Sequence, residues 1–71
     1  MPNISGQEAV NKLKKAGFYV ARQRGSHVVL KKRTAGGDIG CVVPLHKELA
    51  MGTLRSILKQ AKIEMDEFLN L

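Results

Sequence analysis

From Ser5 onward the apolar residues recur first at helical spacing, then gather into three short β-branched runs, and then return to helical spacing. Ala9, Val10, Leu13 and Ala16 form the first stripe, with Lys12, Lys14 and Lys15 on the remaining positions. Ser5-Gly6-Gln7-Glu8 ahead of it is a capping box, in which the Ser5 hydroxyl accepts from the Glu8 amide and the Glu8 carboxylate accepts from the Ser5 amide. Gly17 stands where a left-handed residue closes a helix, so the spacing predicts a helix over 6–16. The runs 18–24, 27–33 and 39–43 read as strands. Gly25-Ser26 is a tight hairpin loop, 34–38 is a second turn rich in residues that tolerate positive φ, and Pro44 ends the third strand. Thr53 is a candidate cap for a second helix over 53–62, whose Leu54, Ile57, Leu58 and Ala61 form another stripe. Residues 63–69 read as a closing turn of helix anchored by Met65, Phe68 and Leu69.

The order α-β-β-β-α predicts an α+β fold, a three-stranded antiparallel sheet with two helices on one face. Apolar residues occupy both parities of the strands, so alternation leaves open which sheet face meets the helices. At 71 residues the chain reads as a single domain, 1–71. A chain of this size is expected to be stable by only about 4 to 10 kcal/mol.

Charge changes the picture. The chain holds 12 Lys and Arg against 6 Asp and Glu, a net +6. Lys12, Lys14, Lys15, Arg22, Arg24, Lys31, Lys32 and Arg33 all fall between Ala9 and Gly37, a window without one acidic residue. Such a basic face attracts a polyanion through counterion release, and charge by itself does not choose between RNA, DNA and an anionic membrane. The plain alternative is a solubilising surface. No apolar run exceeds four residues, so no membrane span is expected, and Met1-Pro2-Asn3 lacks the regions of a secretory signal. A cytoplasmic protein is the expectation. The single cysteine, Cys41, permits no internal disulfide and reads as a small buried apolar residue. No metal or other cofactor is implied.

Two histidines supply the candidate chemistry. If Arg33 faces Ile39 across the second turn, His27 faces Leu45 and lies next to His46. A bulge at Gly36-Gly37 would slip that register by one residue and leave both histidines at the same end of the sheet. The start of the second helix at Gly52-Thr53 and the Lys47 ammonium are expected at this end, ready to receive a phosphate. Gly25 and the small Ser26 leave room for a phosphodiester beside His27. Imidazole titrates near pH ~6.5, so it can take a proton from a 2′-hydroxyl or give one to a departing 5′-oxygen. Arg22, Arg24, Lys31 and Lys47 are the candidates to grip the RNA backbone. The plain alternative for each histidine is a residue that merely begins a strand or a loop.

Gly25-Ser26-His27 with its following apolar strand, Val43-Pro44-Leu45-His46, and the stretch from Glu48-Leu49-Ala50-Met51-Gly52-Thr53 to Leu58 together resemble the HicA toxins of HicA/HicB toxin–antitoxin pairs. The likeness covers nearly the whole chain. It implies a fold like that of double-stranded-RNA-binding domains, metal-independent cleavage of mRNA that halts translation, a catalytic histidine matching His27, and neutralisation by a HicB-like antitoxin. The chain departs from the family pattern in a slightly shorter loop from His46 to Glu48, and at Lys62, where a glycine is common. The alternative class is a non-catalytic double-stranded-RNA-binding-like module, which shares the element order and needs no histidine chemistry. A DNA-binding role lacks a recognition-helix signature.

Overall fold

The computed structural model describes residues 3–71, leaving Met1 and Pro2, part of the start read above for a signal, outside the described residues. Its elements are α1 (Gly6–Lys15), β1 (Tyr19–Arg24), β2 (His27–Thr34), β3 (Gly37–Pro44), α2 (Met51–Ala61) and α3 (Met65–Leu69). The sheet order is β1-β2-β3 with both pairs antiparallel, so the α+β architecture read from the sequence is the one observed.

Local chemistry sets the ends of α1. The Glu8 amide donates to the Ser5 hydroxyl at 3.0 Å and the Ser5 amide to the Glu8 carboxylate at 3.2 Å, completing the capping box. At the other end Gly17 takes φ +100°, the Phe18 amide donates to the Leu13 carbonyl, and the Gly17 amide donates to that of Lys14. That is a Schellman closure. α2 ends the same way, with amides of Ile63 and Lys62 donating to the Leu58 and Lys59 carbonyls, but its left-handed residue is Lys62 at φ +57°. A side chain in this region costs about 1 to 2 kcal/mol. Lys62→Gly is therefore expected to raise stability by about 1 kcal/mol, or about 4 to 8 °C in Tm for a domain of this size. Thermal unfolding followed by circular dichroism checks it, and an unchanged or lowered Tm refutes it.

α2 begins two residues before the Thr53 expected from the sequence. Its N-cap is Ala50, which offers no side-chain bond, and Thr53 is the third helical residue. The cause is tertiary: the Leu49 amide donates to the Ile4 carbonyl at 2.7 Å and Leu49 is buried, which fixes the chain just ahead of the helix.

The strand register also differs from the expected one. Arg33 faces Asp38 and His27 faces Pro44, one residue off the pairing set out above, because Thr34 pairs with Gly37 across a turn of Ala35 and Gly36. Burial explains the choice. In this register Val28 and Val43, and Leu30 and Cys41, are directly opposed, and all four are buried under the helices. Pairing Leu30 with Val42 instead would leave Cys41 on the outer face. Burial pushes the Cys41 thiol up to about 11, so it stays protonated at neutral pH.

One core results. Ala9, Val10 and Leu13 of α1, Leu54, Ile57, Leu58 and Ala61 of α2, and Phe68 of α3 join the residues of one sheet face in this core, and α1 and α2 both lie on that side. Lys12, on the basic stripe of α1, is not a solvated residue. Its ammonium donates to the Leu71 carbonyl at 3.0 Å and lies 5.9 Å from the centre of the Phe68 ring, latching α1 to the C-terminal segment. Lys32 is likewise occupied, 5.7 Å from the Phe18 ring.

Candidate functional site

Strand alternation assigns the other sheet face once the core face is known. With Val28 and Leu30 inward, His27, Val29, Lys31 and Arg33 of β2 point to the side that no helix covers. Directly opposed residues share a face, so Pro44, Val42, Gly40 and Asp38 of β3 join them. On β1 the partners are Arg24 opposite His27, Arg22 opposite Val29 and Tyr19 opposite Lys31.

The β1 assignment depends on an irregularity. Val20 pairs with Leu30 and Arg22 with Val29, so Ala21 is an extra residue, a β-bulge. In an unbroken strand Val20 and Arg22 would share a face. The bulge instead leaves Val20 on the helix side and turns Arg22 and Arg24 to the open side together with Tyr19.

The open face is thus a grid of rows about 7 Å apart along the strands. Arg24, His27 and Pro44 make the first row, Arg22, Val29 and Val42 the second, Tyr19, Lys31 and Gly40 the third, and Arg33 with Asp38 the last. Arg22, Arg24, Lys31 and Arg33 are all exposed, as is His27, and Asp38 is the one carboxylate among them. Of the residues singled out from the sequence, His27, Arg22, Arg24 and Lys31 are brought together here. Arg33 belongs with them and was missed, although two-residue spacing from His27 would have found it. Tyr19 was also missed, and no sequence signal announces the bulge that places it.

The end of the grid carrying His27 is built by three segments. Gly25, at φ +56°, occupies the first turn position that a II′-type hairpin reserves for glycine, and a Cβ there would meet no atom. The Ser26 carbonyl accepts from the Leu45 amide, which ties the hairpin to the chain leaving β3. The His46 carbonyl accepts from the Gly6 amide at 2.9 Å, fixing this loop to the first turn of α1. Leu45 is half-buried against the core and His46 is exposed, so the in–out alternation runs one step past the strand. His46 and Lys47 therefore stand at the His27 end, both exposed. Gly52 and Thr53 are not part of the grid: they open α2, which packs on the opposite side of the sheet. Among the described residues no three of His, Cys, Asp and Glu group closely enough to hold a metal ion, and no enclosed pocket is present.

A family model described as HicA toxin of bacterial toxin–antitoxin matches residues 6–63. The chain belongs to the HicA toxin family. The match runs from the first residue of α1 to just beyond α2 and takes in the whole sheet, both histidines and every cation of the grid. Only α3 and the chain ends of this HicA family member fall outside it. No curated protein matches the chain significantly. No helix among the described residues is long and apolar enough to cross a membrane.

Proposed function

We propose that this HicA family member is a metal-independent endoribonuclease that cleaves mRNA and so halts translation in the cytoplasm. Residues 1–71 act as one RNA-binding and RNA-cleaving domain, and a HicB-like antitoxin neutralises it. The observation that carries this reading is the exposure of His27 in the same row as Arg24, on a face where four cations stand against one carboxylate.

The chemistry needs few parts. The 2′-oxygen attacks phosphorus, the bond to the 5′-oxygen breaks, and the products are a 2′,3′-cyclic phosphate and a 5′-hydroxyl. One proton leaves the 2′-hydroxyl and another reaches the departing 5′-oxygen. An imidazole, which can both take up and release a proton, serves either transfer. His27 takes one of these roles and His46 is the candidate for the other. The residue opposite His27 is Arg24, whose guanidinium holds the phosphoryl oxygens as their charge grows, while Arg22, Lys31 and Lys47 hold flanking phosphates. Gly25 and Ser26 leave the approach open, while Gly52 and Thr53 on the far side of the sheet are reachable only by RNA that wraps its end. The antitoxin, to cover this site, presents an acidic surface or segment to it.

One feature favours the alternative of a non-catalytic RNA-binding module: the element order is shared with double-stranded-RNA-binding domains, which read shape and phosphates without cutting. A single experiment separates the two. Purified protein is incubated in excess EDTA with labelled RNA and with the same oligonucleotide carrying 2′-deoxyribose at the cleaved position. The nuclease cuts the first and binds the second uncut. Retardation of both without products establishes the binding module, and cleavage of the deoxy substrate overturns the 2′-hydroxyl chemistry.

A further inference from the structure

Beyond the cations, the open face carries an apolar strip. Tyr19 is 46% exposed and Val42 43%, with half-buried Val29 between the second-row partners and the side-chain-free Gly40 at the end of the Tyr19 row. The bulge at Ala21 is what brings Tyr19 to the same side as Arg22 and Arg24. Cations interleaved with an exposed aromatic suit a single strand, whose phosphates and unpaired base faces are both free to bind. A duplex satisfies only the cations, because its bases are already stacked on one another and its surface is sugar and phosphate.

We propose that the helix-free face is a track for single-stranded RNA on which Tyr19 stacks an unpaired base. Tyr19 faces Lys31, four residues along β2 from His27. At about 3.3 Å per residue this is about 13 Å, or about four nucleotides at a stacked spacing of ~3.4 Å and fewer when the bases are splayed. The stacked base therefore lies within about four nucleotides of the phosphate at His27, a placement that rests on the function proposed above. Because every base has a π-face, one such stack selects for strandedness and tolerates sequence.

The chain has one tyrosine and no tryptophan, so its intrinsic ultraviolet emission reports Tyr19 alone. The probe is a 2′-O-methyl octanucleotide, which cannot be cut, used as a single strand and as a duplex with its complement. The single strand is expected to quench the emission and to bind the wild type more tightly than the duplex does. Tyr19→Ala weakens single-strand binding by about fivefold to a hundredfold, Tyr19→Phe restores it, and duplex binding is indifferent to both. Emission unchanged at saturation, wild-type affinity in Tyr19→Ala, or tighter binding of the duplex each overturns the proposal. The emission titration needs no variant, so a folding defect leaves it decisive. Failure of the nuclease reading shows separately, as native RNA left uncut.

Discussion

Replacing His27 by alanine is expected to lower the rate of RNA cleavage by about 10²- to 10⁴-fold, the contribution a positioned general acid or base makes. The fold has no stake in this side chain. His27 is exposed on the helix-free face, and its strand is held by backbone pairing to Arg24 and Pro44, which alanine preserves. Tm and RNA affinity therefore stay near those of the wild type while cleavage and growth arrest disappear. Arg24→Ala differs in that affinity falls for all sequences and the slope of log K against log salt drops by about one unit, while the cleavage rate falls as well because this guanidinium also holds the phosphoryl oxygens. Both are read from cleavage rates under single-turnover conditions beside filter-binding titrations over a range of salt. A His27→Ala protein that cuts at the wild-type rate removes the histidine from the mechanism.

Gly6→Ala is expected to lower Tm by more than about 10 °C, or to prevent folding altogether. Helix propensity points the other way, since alanine in a helix is favoured over glycine by up to about 1 kcal/mol. Space decides against it. A Cβ on Gly6 would lie 2.1 Å from the Pro44 carbonyl oxygen and 2.7 Å from the Leu45 Cα, both backbone atoms. Overpacking a close-fitting contact typically costs about 1 to 3 kcal/mol, and here no side chain can swing aside, so a loss of about 3 kcal/mol or more is expected. That is a large share of the stability available to so small a domain. The affected contact is also the one whose Gly6-to-His46 hydrogen bond holds the loop beside the His27 end, so any folded fraction has this loop displaced. A thermal midpoint within about 2 °C of the wild type refutes the prediction.

The antiparallel meander, both helix stripes and the position of His27 at a hairpin exit were legible from residue types alone. So was the burial of Cys41. The elements rest on local causes, a capping box, a glycine at positive φ or a β-branched run, and the cysteine on its apolar character. The pairing of His27 with Pro44, the early start of α2 and the open-face position of Tyr19 were not legible, and the first and last of these shape the candidate site. Lys62 shows the boundary between the two groups. Its sequence position marked the end of α2, and only the folded chain shows a lysine accepting the left-handed conformation there.

The sequence by itself determined which elements form, where most of them end, and that one stretch of the chain carries an unopposed positive charge, because caps, turns and side-chain charge act over a few residues. The tertiary structure decided which sheet face is covered, and with it which residues stand beside His27. Strands with apolar residues at both parities allow two pairings that differ by one residue and exchange the faces. Only the burial of Val28, Leu30, Cys41 and Val43 beneath two helices, and the extra residue Ala21 in β1, select the arrangement that gathers the cations and the tyrosine on one open surface.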